Sequence, residues 1–467
     1  MKKAIRIISM VMLLALLLTL TSTAVLAQKE VKCDSDVVVQ ADDWLSKIAE
    51  KFYGNPLSYP AIAQATNIKA TTDSTYATIK DNNLIEPGWK LCIPSAADAQ
   101  GMLGIAIGVV MVGPYNDHGW SEAHYTGGQY AEKHIPGLRM IWLDKLNPAD
   151  RPQTTLEQVV DDMVAKGAQI IFTTSDDFQT DTDTVAAKYP DIPFVMISGD
   201  HALNGTAPKN IANYMGRMEY MKMVAGCAAA LKTQTGTIGY LGPLINDETR
   251  RLANSVYLGA RYCYQNYRGQ DPQNLKFIVQ WIGFWFNIPG VTLDPTEVSN
   301  DIFNAGADVI LSGIDTTEAI VVARQRAEQG QQVWAIPYDF KGACDQAPDI
   351  CLGVPYFNWG PAYVDYVKKV QNGTFKQEWV WAGPDWSDIN NPDTSAVGFV
   401  KGNALTADES AQIDKFIAGM ADGSINLYTG PLNYQDGSVY LKDGEVATDQ
   451  QIWYAQQLLE GMTGPSK

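Results

Sequence analysis

Histidine is scarce in this chain. There are only four, His118, His124, His134 and His201, and none stands at metal-ligand spacing from another. No Cys-x-x-Cys pair, His-Glu-x-x-His stretch or Gly-x-Ser-x-Gly turn occurs, which removes the commonest zinc and nucleophile signatures. Bases are outnumbered: 35 Lys and Arg against 52 Asp and Glu leave a net charge of -17. A phosphate backbone needs a basic face to displace its counterions, and no Lys/Arg cluster offers one, so nucleic acid is excluded as a partner. The plentiful acids come without an EF-hand-like loop, which argues against calcium. Neither a metal nor a cofactor is expected.

Only one long apolar run is present. Lys2, Lys3 and Arg6 precede it, and Val25-Leu26-Ala27 ends it with a small residue. Thr19, Thr21, Ser22 and Thr23 interrupt it too early for a comfortable membrane span. Met1–Ala27 therefore reads as a secretory signal, and with no cysteine at its end lipid attachment is not expected. The destination is the outer face of the membrane or the cell wall, or the periplasm in a cell with two membranes. All six cysteines lie beyond the signal, in the sequence pairs Cys33/Cys92, Cys227/Cys263 and Cys344/Cys351. An even number in an exported chain favours disulfides, and these three pairings are expected.

The chain beyond the signal is too long for one core. Val37–Gln40 reads as a strand, Trp44, Leu45, Ile48, Ala49 and Phe52 repeat at helical spacing, Tyr59–Thr66 makes a second helix, and Leu84–Pro94 returns as a strand. This βααβ order resembles a lysin-motif (LysM) domain over residues 30–95. The likeness rests on Val38-Val39-Gln40, Asp43, Leu45, Ile48-Ala49, Tyr53-Gly54, Ile62, Asn67, Leu84-Ile85, Pro87-Gly88 and Leu91-Cys92-Ile93-Pro94. LysM domains bind N-acetylglucosamine-containing glycans, so the resemblance implies peptidoglycan as a partner. Terminal strands pair in that fold, which suits a Cys33–Cys92 bridge. Residues 96–102, small and polar, read as a linker.

Beyond it strands and helices alternate. Strands are expected at Ile105–Val110, Arg139–Trp142, Gln169–Thr173 and Pro193–Ile197, then at Thr237–Leu241, Lys276–Trp281, Val309–Leu311 and Val333–Pro337. Asn210–Lys232, rich in Met and Ala, reads as one long buried helix joining the two series. This rhythm predicts two α/β, doubly wound parallel sheets with a cleft between them. Lobe I is assigned to residues 103–212 and 340–375, lobe II to 213–339, and a segment bracing both to 376–467. Ligands in such sheets sit beyond the carboxyl ends of the strands. The residues there are aromatic and acidic, without bases. Candidates for ligand contact are Tyr115, Asn116, Asp117, Trp120, Ser175, Asp176, Asp177, Trp285, Gly313, Asp315, Asp339, Asn358 and Trp359.

From about Gly104 onward the chain resembles the basic membrane protein (BMP) family of ABC-transporter substrate-binding proteins, whose characterised members bind purines. The matching segments are Gly113-Pro114-Tyr115-Asn116-Asp117-His118-Gly119-Trp120, Thr173-Thr174-Ser175, Lys188-Tyr189-Pro190-Asp191, Asn210-Ile211-Ala212, Ile238-Gly239-Tyr240, Leu258-Gly259-Ala260-Arg261, Gly306-Ala307-Asp308-Val309-Ile310 and Asn358-Trp359-Gly360-Pro361. The resemblance implies a type I periplasmic-binding-protein fold and a membrane permease as partner. In nucleoside-binding members the residues matching Asn116, Asp117 and Asp339 hold ribose, an acid near Asp176 or Asp177 reads the purine edge, and two aromatics sandwich the ring. Those members carry a ribose-binding lysine where this chain reads Tyr356-Phe357-Asn358-Trp359. That departure, with Trp120, Trp285 and Trp359, points to a free base such as adenine. Trp120 and Trp285 are then expected to stack, Asp176 or Asp177 to accept from an N–H, and Asn116, Asp117, Asp315 and Asp339 to complete the polar rim. The rival readings are a purine-nucleoside receptor or sensor and a LysM-bearing wall hydrolase. The latter would need a placed nucleophile or carboxylate pair.

Overall fold

The computed structural model describes residues 31–467; the signal Met1–Ala27 lies outside the described residues. Contacts divide the chain into two compact units, the first ending at Leu103 and the second running from Gly104 to Lys467.

In the first unit β1 (Ser35–Val38) precedes α1 (Leu45–Tyr53) and α2 (Tyr59–Ala70), and β2 (Lys90–Ile93) pairs antiparallel with β1. Leu45, Ile48 and Ala49 repeat at i, i+3, i+4, so one face of α1 is apolar and buries against Ile62, Ile79, Leu91 and Ile93. Gly54 ends α1 in the left-handed conformation, the usual glycine C-cap. Asn67 fastens the long connection between α2 and β2, its side chain accepting from Ile79 N–H at 2.7 Å and donating to Ile79 C=O at 2.9 Å. The expected Cys33–Cys92 bridge is formed. Residues 96–102, expected as a linker, instead lie in α3 (Ala96–Leu103). Ser95 starts it by accepting from Asp98 N–H, and its Ala, Gln, Met and Leu residues are strong in helix propensity.

The second unit is an α/β structure of two parallel sheets. Its elements are β3 (Ala106–Val110), α4 (Trp120–His134), β4 (Arg139–Leu143), α5 (Leu156–Ala165), β5 (Ala168–Thr173), α6 (Gln179–Lys188), β6 (Phe194–Ile197), α7 (His201–Asn204), β7 (Ile211–Gly216) and α8 (Glu219–Lys232). They continue as β8 (Thr237–Gly242), α9 (Asp247–Asn266), β9 (Lys276–Trp281), α10 (Pro295–Asn304), β10 (Val309–Ser312), α11 (Glu318–Glu328), β11 (Trp334–Ile336), β12 (Gly353–Phe357) and α12 (Gly360–Gln371). The last are β13 (Trp379–Ala382), β14 (Val397–Lys401), α13 (Ala407–Ala421), β15 (Leu432–Asn433), β16 (Val439–Leu441), α14 (Asp449–Trp453) and β17 (Met462–Thr463). Lobe I is the sheet β13-β7-β6-β5-β3-β4, and lobe II the sheet β11-β10-β8-β9-β17. Strands β3, β7 and β8 are buried along their whole length, as expected where helices cover both faces of a parallel sheet.

Two expectations change. Asn210–Lys232 is not one helix, because Ile211–Gly216 forms β7 and only Glu219–Lys232 is helical. Its first half, Ile-Ala-Asn-Tyr-Met-Gly, ends in a glycine that is poor in helices, and it pairs with β6 and β13 in the sheet. Lobe I accordingly extends to Gly216. The segment 376–467 supplies a strand to each lobe, β13 beside β7 and β17 beside β9. Where the chain crosses between lobes, β12 and β14 pair antiparallel. Helices α8 and α9 pack together and are joined by Cys227–Cys263, while Cys344–Cys351 closes the loop before β12.

Candidate functional site

Strand ends from both lobes converge on a tight cavity lined by Trp120, Ser175, Asp176, Ser198, Tyr240, Glu248, Thr249, Leu252, Trp285, Gly313, Asp315 and Tyr338. Trp120 is the first residue of α4, and its indole N–H donates to Thr174 C=O at 2.6 Å. Phe357, Trp359 and His124 meet it edge-on behind the cavity. Trp285 comes from the loop after β9. Its backbone carbonyl accepts from Asp315 N–H at 2.9 Å, and its indole N–H is directed to the Asp177 carboxyl.

The two lobes touch here. Ser198 Oγ, after β6, donates to Glu248, and Asn246 Nδ2 donates to Asp176 Oδ2 at 3.1 Å. A Cβ on Gly119 would stand 1.6 Å from the Asp315 carbonyl oxygen. Only a glycine allows that approach. The conformation is therefore a closed one.

Four acids crowd the cavity and its floor. Burial raises the Asp176 carboxyl well above the ordinary range, and Glu248 and Asp177 push it further. Asp315 and Asp339 are raised in the same way, mainly by burial, with Lys222 partly opposing the effect at Asp339. Asp176 Oδ1, Tyr240 OH and both Asp339 carboxyl oxygens are buried without hydrogen-bond partners. An unpartnered buried polar atom carries a desolvation cost, and a group of protonated carboxyls and a phenol around one cavity is complementary to a polar ligand with both donors and acceptors. Asp339 has φ of 71°. It is held there because its N–H donates to Pro355 C=O and its C=O accepts from Phe357 N–H.

The cavity lining holds no base, but two bases lie buried behind it on helices α8 and α9. Lys222 is 1 % exposed, donates to Ser312 C=O at 2.9 Å and lies 3.1 Å from the centre of the Tyr338 ring. Burial lowers its ammonium to about 7. Arg251, equally buried, bonds Glu219 at 2.7 Å and reaches Glu248 at 3.6 Å. Lys222 is visible in the sequence as a charge set among Met and Val residues, whereas Arg251 is hidden in the charged run Asp247–Arg251. Ser198 was not expected either, although it stands directly after a strand end, nor were Tyr240, Glu248, Thr249 and Leu252.

Of the thirteen sequence candidates, Trp120, Ser175, Asp176, Trp285, Gly313 and Asp315 line the cavity. Asp339 adjoins it through Tyr338. The rest are elsewhere. Asp117 caps α4, accepting from Gly119, Ser121 and Glu122 N–H at 2.9–3.0 Å, with burial raising its carboxyl to about 6. Asp177 lines an adjoining groove and lies beside the Trp285 indole. Asn358 is used structurally, donating to Pro392 and Ser395 carbonyls. Trp359 is stacked between Phe357 and His124 at 4.6 and 4.3 Å. Tyr115 and Asn116 face solvent.

Residues 105–416, wholly within the second unit, match the family model Bmp, described as ABC transporter substrate-binding protein PnrA-like. A purine-binding protein of Brucella abortus (strain 2308) is 30% identical over 352 residues, 74% of this chain and 90% of that protein. A protein of Haloferax volcanii named as an ABC transporter glucose-binding protein is 26% identical over 274 residues, 59% of this chain and 63% of its own. An ABC-transporter solute-binding protein from Aeropyrum pernix K1 superposes with a TM-score of 0.55 at 16% identity, covering 69% of this chain and 92% of its own. Another from Conexibacter woesei DSM 14684 gives 0.51 at 16% identity, covering 69% and 98%. At such identities the structural likeness concerns the fold.

Proposed function

Since this chain belongs to the Bmp family of PnrA-like ABC-transporter substrate-binding proteins, we propose that its interlobe cavity captures a purine, specifically a free nucleobase such as adenine, for delivery to the permease. The observation that carries this reading is the pairing of two indoles, Trp120 and Trp285, with unpartnered polar atoms around one cavity. A flat heteroaromatic ring fills the space between aromatic faces, each worth about 1–3 kcal/mol by analogy with base stacking. Asp176 keeps one oxygen free while Asn246 holds the other. With Oδ2 accepting from Asn246, the neutral carboxyl carries its proton on the free Oδ1, a donor for a ring nitrogen of adenine. Neither nearby base lines the cavity; Lys222 donates to Ser312 and Arg251 to Glu219 behind it, so the lining offers no cation for a phosphate.

We assign the first unit, from its resemblance to LysM domains, to peptidoglycan attachment. The arrangement is a wall-tethered receptor outside the membrane. Among the described residues no helix is long and apolar enough to cross one.

The test is mass spectrometry of small molecules released by denaturing the purified protein, followed by calorimetry with adenine, adenosine and glucose. Adenine is expected to be released and to bind most tightly. Replacing both Trp120 and Trp285 by Ala is expected to weaken adenine at least a hundredfold. Affinity within a few-fold of the native value overturns the assignment.

A further inference from the structure

The turn 112–120 has two faces. Its inner face carries Gly119 and Trp120 to the cavity, while Tyr115 remains 40% exposed on the outside. Tyr115, Tyr125 and Trp142 form a triad of rings with every pair of centroids 5.2 Å apart. Trp142, 38% exposed, sits on β4, the edge strand of lobe I. None of these three rings lines the ligand cavity.

Lobe II has a matching construction. The loop Ile282–Leu293 is closed at its base by Leu293 N–H donating to Ile282 C=O at 2.9 Å. It buries Trp285 and Phe286 inward and leaves Val291 and Leu293 76% and 60% exposed. The two constructions flank one open groove. Phe284 of the loop lines one side and Leu146–Leu156, after β4, contribute to the other. Asp144 ties the triad to that groove, accepting from Tyr115 N–H through its side chain and from Arg151 Nε through its carbonyl.

We propose that Tyr115, Tyr125 and Trp142 on lobe I, with Val291 and Leu293 on lobe II, form the face that docks on the external loops of the membrane permease. Each patch is the outer surface of a segment whose inner surface closes on the ligand, so their spacing is fixed only when the lobes are closed. A permease contacting both patches distinguishes the closed protein from the open one. The area also selects this occupant over a second copy. Tyr115 and Trp142, rings of about 200 Å² each and roughly 40% exposed, offer about 160 Å², with Tyr125 half-buried between them. A stable dimer needs about 800 Å² from each partner, whereas a transient encounter needs less. The inference rests on the family assignment and not on which ligand is carried.

A photo-cross-linking p-benzoylphenylalanine is placed at position 142 of the full-length protein in its native cells, with position 439, exposed on the β15–β16 hairpin, as control. The expected product is an adduct with the membrane-spanning subunit of an ABC transporter, at least fivefold above the control. An adduct with a second copy of this chain, or none above control, overturns the proposal. In parallel, Tyr115→Ser with Trp142→Ser, and Leu293→Ser separately, are compared for uptake of labelled adenine by cells and for adenine affinity of the purified protein. Uptake is expected to fall at least tenfold with affinity within twofold. Native uptake, or a loss confined to affinity, overturns it. If the native protein itself fails to bind adenine, the ligand assignment falls and the cross-link alone decides the docking face.

Discussion

A carboxyl group held in a nearly dry cavity prefers its proton. Asp315 is 4 % exposed, and burial, reinforced by the charges of Asp339 and Asp117, raises it well above the ordinary carboxylate range. A raised folded value means that its contribution to stability is complete below about pH 4, the unfolded value. That contribution is lost as pH rises through the folded value. Asp315→Asn, uncharged and of the same shape, is therefore expected to melt with the ligand-free native protein at acid pH and above it at neutral pH. Thermal denaturation followed by circular dichroism from about pH 4 to about pH 8 checks this. An unchanged difference across the range would show that Asp315 is not the titrating group. At this scale the sequence was readable where a residue type and a strand end coincided, as at Trp120, Ser175, Asp176 and Asp315. It misled where a polar residue served the backbone instead. Asp117 and Asn358 carry the right chemistry, but helix capping and a loop closure use it. Which of these outcomes a polar side chain meets depends on atoms distant in sequence.

Among the elements, the turn between β3 and α4 is where chemistry and motion meet. Gly119 has φ of -143°, which any residue adopts, so its value lies in space and not in backbone freedom. Gly119→Ala is expected to leave lobe I folded and to block full closure, because its methyl group would displace the Asp315 carbonyl. Overpacking of this kind costs about 1–3 kcal/mol, so ligand affinity is expected to fall roughly five- to 150-fold with little change in ligand-free melting. Calorimetry on the variant measures it. Affinity within twofold would mean that the lobes close without this contact. The alternating strands and helices of the second unit were legible because β3, β5 and β6 are short apolar runs bounded by polar turns. Strand β7 was not, because its mixed sequence Ile-Ala-Asn-Tyr-Met-Gly shows neither strict alternation nor a continuous apolar run.

For the whole molecule, the first unit has its own apolar core and its own disulfide, and the family match lies entirely in the second. If the first unit serves attachment, residues 31–103 are expected to sediment with purified peptidoglycan and residues 104–467 to remain soluble while binding ligand with unchanged affinity. Retention of the first fragment in the supernatant across salt and pH would make it a spacer. The two-lobed architecture was legible from element order, but the strand borrowed from beyond residue 375 was not, since Trp379–Ala382 lies far in sequence from the sheet it joins. That borrowing affects the birth of the protein. Strand β13 pairs with β7, yet nearly all of lobe II is made between them. As the chain emerges from its N-terminus, β7 presents a row of unpaired backbone amides and carbonyls, a template for pairing with the wrong chain. Through most of synthesis and export this edge stays open, and it is the place where a holding chaperone has the most to protect.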